Sequence, residues 1–327
     1  MSPPLRNGRH RTTIVHEPPA TTVLLRRRSK ELERHLPAAI AGNARAVHRA
    51  RVASRRLREA LPIVAPSSKA RRKAGRKIRR VTRALGLVRE LDVAVGILDE
   101  LAQRQGIPRD ALEDVRGYVV GERDVRRAQM GERLSRFKTA RLSRRLEEVT
   151  LSLPSGPEGD WRDSLATRIA HRAERLSAAM AAAGQMYAPD PLHKIRIAAK
   201  KLRYALELAG DTGLPAAPLV ASLKRAQDIL GRLHDLQIIQ GHVATVQAHP
   251  PDRAGATDGG LDRIARVLEK ECRHLHARYI KGAPAVMELA LECRTRLFAA
   301  PPEPPARRRQ LGMSVPGRRR APAVRRA

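Results

Sequence analysis

The sequence predicts an all-α protein made of two similar four-helix units, and three observations carry that expectation. Apolar residues recur at a spacing near 3.6 between about 22 and 299, as in helices with one buried face. Good helix formers dominate this region and alternating β-branched runs are missing from it. The stretch V-H-R-A-R-V-A-S-R-R-L-R (47–58) returns 145 residues later as L-H-K-I-R-I-A-A-K-K-L-R (192–203), a spacing that marks an internal repeat.

Proline and glycine divide the helical region into eight segments. The expected helices are 22–40, 43–62, 68–104 and 109–151, then 161–187, 190–210, 216–248 and 259–299. The linker L-P-S-G-P-E-G-D (153–160) separates a first unit, 22–152, from a second, 161–299. Asp190 and Pro191 look like a helix start and place His193 in a first turn, where free amides favour anions. Residues 1–21 and 301–327 are rich in Pro and Arg with little apolar content, and are expected to be disordered. A second segment shares the offset: L-G-L-V-R-E-L-D-V (85–93) aligns with L-G-R-L-H-D-L-Q-I (230–238).

Charge narrows the partner. The 327 residues carry 65 Lys+Arg against 33 Asp+Glu, a net charge of +32. Residues 31–300 on their own hold 50 basic and 31 acidic residues. A chain this basic points to a polyanion: nucleic acid, an anionic membrane surface or phosphate chains. Two cysteines give no disulfide framework, so a reducing cytoplasm is expected. No apolar run approaches the roughly 20 residues that span a bilayer, and no membrane insertion is expected.

Helical projection locates the cations. With His48 at zero, Arg51, Arg55 and Arg58 fall at about 300°, 340° and 280°, one narrow stripe. Val47, Ala50, Leu57 and Leu61 gather on the adjoining face, which should pack in the bundle. His193, Arg196, Lys200 and Arg203 repeat the stripe, and Leu192, Ile195, Leu202 and Leu206 repeat the apolar face. Donors three and four residues apart are separated by roughly 4.5–6 Å along the axis, so each can meet a different phosphate of an extended polymer. A basic stripe is also what a solvated helix face looks like, but duplication in register argues against that. The histidines could equally hold the scaffold by hydrogen bonds.

The third helix of unit one adds Lys73, Arg76, Lys77, Arg79, Arg80 and Arg83, and unit two offers Lys224, Arg225, Arg232 and His234. Glu90, Asp92 and Asp235 suit metal or acid–base work, but are expected to pair with nearby arginines and orient them. Cys272, His274 and His276 make a poor zinc site because His274 projects almost opposite the other two. Neither a G-x-x-x-x-G-K-[ST] loop nor G-x-S-x-G nor H-E-x-x-H occurs. No metal, cofactor or catalytic residue is expected.

The four motifs at 47–58, 85–93, 192–204 and 230–237 resemble those of the CHAD family, named for a conserved histidine α-helical domain. The resemblance covers roughly 30–300. It implies two pseudo-symmetric four-helix bundles and a basic surface that binds inorganic polyphosphate, without catalysis, in proteins that associate with polyphosphate granules. The family's motif residues fall on His48, Arg51, Arg55, Arg56, Arg58, His193, Arg196, Lys200, Lys201 and Arg203, and on His234, whose counterpart in unit one is Arg89. Rival expectations are a nucleic-acid binder, which 2% aromatic content disfavours, and a phosphohydrolase, which His234-Asp235 alone supports weakly. Non-specific association with nucleic acid is compatible with the first reading.

Overall fold

A computed structural model describes residues 20–65, 69–137, 139–153, 159–249 and 258–295. Among them, every regular element is a helix: α1 (Ala20–Ile40), α2 (Ala44–Val64), α3 (Lys69–Ala102), α4 (Arg109–Ser135), α5 (Thr139–Leu151), α6 (Gly159–Ala183), α7 (Pro189–Asp211), α8 (Ala217–Ala248) and α9 (Asp258–Thr295). The tails expected to be disordered, apart from 20 and 21, lie outside the described residues, as does most of the expected linker.

One expected helix is two. The segment 109–151 breaks after Ser135, where Arg136 caps α4 and the Phe137 amide bonds the Leu134 carbonyl at 2.9 Å. No proline or glycine marks the break, which tertiary packing explains. An unbroken helix of that length would run about 65 Å, well beyond α3. Instead α4 packs on α3, α8 and α9, while α5 turns back onto α3 and α1. The buried residues show the same change of partner: Ala111, Leu112, Val115 and Val119 line α4, and Leu142, Leu146 and Val149 line α5.

Within the first half α1, α2, α3 and the α4–α5 pair enclose one core; within the second α6, α7, α8 and α9 enclose another. The expected apolar faces are the buried ones. Val47, Ala50, Leu57 and Leu61 on α2 and Leu192, Ile195, Leu202 and Leu206 on α7 are all 3% exposed or less. Across the halves α2 packs on α7, α3 on α8 and α4 on α9. The two motif helices therefore lie side by side, and their cationic stripes meet at that seam.

Local signals set the ends. Asn43 accepts the Ala46 amide at 2.9 Å to cap α2, and Gly42, at φ 86°, makes the turn from α1 that a side chain would strain. Helix α7 begins at Pro189. His193 is its fifth residue, past the four amides that a helix start leaves without partners, so the expected amide contribution at His193 does not hold.

Candidate functional site

Helices α2, α3, α6 and α7 surround a cleft of about 740 Å³. From α2 come Arg55 and Arg58; from α3, Arg71, Arg72, Arg76 and Arg79; from α6, Arg168 and Arg172; from α7, Arg196, Lys200 and Lys201. Glu59 is the single carboxylate in this lining, and it is buried. Arg168 and Arg172 both donate to its Oε1, at 2.7 and 3.3 Å, so Glu59 fixes two guanidiniums of α6 against the α2 wall. Among the described residues, Arg55, Arg58, Arg76, Arg79, Lys200 and Lys201 make no ion pair within 4.0 Å. These six bring uncompensated positive charge to the cleft.

The mutual cost of the cations is clearest at the α2–α7 seam. Burial, then the charges of Arg196 and Arg55, push the Lys200 ammonium down to about 7, with Asp235 opposing. Burial and Arg55 likewise lower Arg51 to about 10. An anion entering here would oppose both shifts, because its charge offsets the like-charge repulsion and favours the cationic form that burial disfavours.

The two halves pin their stripe arginines in the same way. Arg51 reaches Glu90 at 3.5 Å, and Arg196 reaches Asp235 at 3.8 Å. Both partners of the second pair lie 145 residues beyond those of the first, so the sequence offset also relates contacts. Asp92 is held by Arg127 at 2.7 Å. Each of the three carboxylates is thus an arginine partner, and the described residues contain no cluster of three metal-ligating side chains. Cys272 is buried, with Sγ 3.8 Å from Gln240 Oε1.

The Leu-Gly segments differ in one respect that can be tested. A β-carbon on Gly86 would collide with the Arg51 guanidinium, whereas one on Gly231 would meet open space. Gly231→Ala should therefore stabilise the fold by about 1 kcal/mol through helix propensity alone, with ligand affinity unchanged. Gly86→Ala should gain less, because it must displace the Arg51 guanidinium from Glu90, and should leave cleft affinity little changed because Arg51 lies outside the lining. Thermal melts and titrations of the two variants check this, and equal stabilisation would contradict it.

Several expected site residues lie elsewhere. Arg56 and Arg203 do not face the cleft: they bond the two oxygens of Glu207 at 3.0 and 2.7 Å, and Arg56 also reaches Glu31 at 3.5 Å. They join α1, α2 and α7, with an Arg28–Asp211 pair alongside. Lys224 is exposed on α8, away from the lining. Arg83 is exposed beside Arg58, and Arg80 lies with Lys77 on the side of α3 that meets α5.

The histidines divide. His48 is exposed in a smaller recess of about 310 Å³ between α1 and α2, with Arg49, Arg56 and His35. Burial and then Arg89 lower its pKa. His193 Nδ1 is 3.3 Å from His234 Nδ1; burial and Arg196 lower both, His234 to about 4. Pairing of two neutral rings is what that favours. None of the three lines the main cleft.

Residues missed by sequence reasoning are Arg71, Arg72, Arg168, Arg172, Glu59 and Tyr204. The one available signal was Glu59 itself, a lone acid beside a cationic stripe.

Residues 23–244 match the family model described as the CHAD domain. The chain belongs to the CHAD family. The CHAD fold also appears in two solved structures similar to it. One is the crystal structure of the CHAD domain from the plant Ricinus communis, at 22% identity and a TM-score of 0.60, covering 81% of this chain and 91% of that one. The other is PptA from Streptomyces chartreusis, at 17% identity and 0.62, covering 81% and 98%. No curated protein matches the chain in sequence. Among the described residues, no helix is long and apolar enough to cross a membrane.

Proposed function

We propose that this CHAD protein binds inorganic polyphosphate in the cleft between α2, α3, α6 and α7. The observation that carries the reading is the imbalance of the lining: eleven Lys and Arg side chains face one carboxylate, already engaged. Such a site suits a ligand that presents many charges at short intervals and needs no base recognition. Guanidiniums on four helices can each donate two bonds to phosphate oxygens, and charge-assisted bonds in a half-buried cleft are among the stronger polar contacts. The family's link to polyphosphate supports this choice of anion. The protein's role is binding rather than turnover, and its expected place is at polyphosphate granules.

A titration with polyphosphate, followed by DNA and RNA competition, tests the reading. Polyphosphate should displace nucleic acid at far lower phosphate concentration than the reverse. Affinity should fall steeply with salt, as condensed counterions are released on binding. Nucleic acid outcompeting polyphosphate would overturn the assignment. Shortening of the chain on incubation with Mg²⁺ or Mn²⁺ would overturn the non-catalytic part.

A further inference from the structure

The cationic surface of α3 does not stop at the cleft. Measured from Lys69 at about 100° per residue, Arg79, Arg83 and Arg76 span roughly 280° to 340°, and Arg80, Lys73 and Lys77 continue from roughly 20° to 80°. Arg76 and Arg79 line the cleft, and all of these but Lys77 are exposed. On the far side α5 packs against α3. Its Arg141 and Arg145, one turn apart, join Arg80 as the charges that bear on Lys77, whose pKa burial and these three lower. Lys77 Nζ lies 6.0 Å above the ring of Phe137, at the break between α4 and α5. The break therefore creates this face: a straight 109–151 helix would not return α5 to α3. Among the described residues, Lys73, Lys77, Arg80, Arg141 and Arg145 have no carboxylate within ion-pair distance.

We propose that Lys77, Arg80, Arg141 and Arg145 form a second polyanion track, continuous with the cleft over the α3 ridge, that holds the part of a long polyphosphate chain emerging from it. This rests on the cleft being the primary polyphosphate site. A chain anchored in the cleft presents its overhang to the α3–α5 face at high effective concentration, so weak contacts there multiply the affinity. A chain short enough to lie wholly within the cleft leaves no overhang to reach Arg141 and Arg145 on α5. The protein thus discriminates polymer length by the area of α3 the chain covers.

The test compares long-chain polyphosphate with a chain short enough to lie within the cleft, for the full protein and the Lys77→Glu/Arg141→Glu/Arg145→Glu variant. Long-chain affinity should fall roughly tenfold or more while short-chain affinity stays within about twofold. Unchanged long-chain affinity overturns the track, and so does an equal loss for both lengths, which indicates only a change in net charge. A loss confined to DNA or RNA binding also overturns it. Should the reversal unfold the protein, as its melt would show, the Gln triple variant carries the test with a smaller long-chain loss of about threefold. Failure of the unmodified protein to bind either length defeats the cleft assignment itself, and the track with it.

Discussion

Replacing Arg55 and Lys200 together by glutamate should lower polyphosphate affinity by at least about a hundredfold, near 3 kcal/mol, with helicity kept. Both side chains line the cleft from facing helices, and neither has an ion-pair partner among the described residues. Each substitution removes a charge-assisted contact and sets a carboxylate against the anion. The same change should leave the melting temperature steady or raise it. Lys200 is crowded by Arg196, Arg55 and Arg51, so glutamates there gain cationic neighbours while two repelling charges disappear. Loss of binding with gain of stability is the signature of a site that stores like-charge repulsion for its ligand. Lys224→Glu with Arg225→Glu makes the same net charge change on exposed α8 and should cost less than about threefold. Equal losses for the two double variants would mean that net charge, not the cleft, governs affinity.

The second large effect is a pH dependence centred on Lys200. Its ammonium titrates near 7 in the free protein, while phosphate favours the charged form. Above pH 7 binding must therefore take up a proton, and affinity should drop by up to about tenfold per pH unit until the bound-state pKa is passed. Stability of the free protein runs the opposite way. A lysine whose folded pKa is depressed leaves the unfolded chain binding more protons between about 7 and its ordinary value, so this group's contribution rises with pH across that window. Lys200→Arg should flatten the affinity profile between pH 7 and 9, since guanidinium stays charged there, and it controls for titration of the polymer itself. Calorimetric titrations in buffers of different ionisation enthalpy measure the proton uptake directly. A flat profile in the unmodified protein contradicts the account. His48, His193 and His234, all lowered, line no part of the cleft and are not expected to carry this slope.

The sequence made the two motif helices legible because their information is local. Periodicity alone separates the buried face of α2 from its stripe, and Arg55, Arg58, Arg196 and Lys200 do reach one cleft. What sequence could not show was set by neighbours. Arg203 looks like a stripe cation and Arg56 like a motif cation until Glu207 on α7 engages both. Arg168 and Arg172 sit on a helix with no motif, and only its packing on α2 turns them toward Glu59. The α4–α5 break has no proline or glycine to announce it; it exists because one straight helix could not satisfy both α9 and α1. The histidines that lead each motif lie beside the cleft rather than in its lining, which arginines and lysines supply.

The most direct measurement is a crystal structure of the protein with polyphosphate bound. Polymer density is expected between α2 and α7, with phosphate oxygens within hydrogen-bond distance of Arg55, Arg58, Arg196 and Lys200. Ordered polyphosphate found only at the α1–α2 recess or along α8, with the cleft holding solvent, would contradict it.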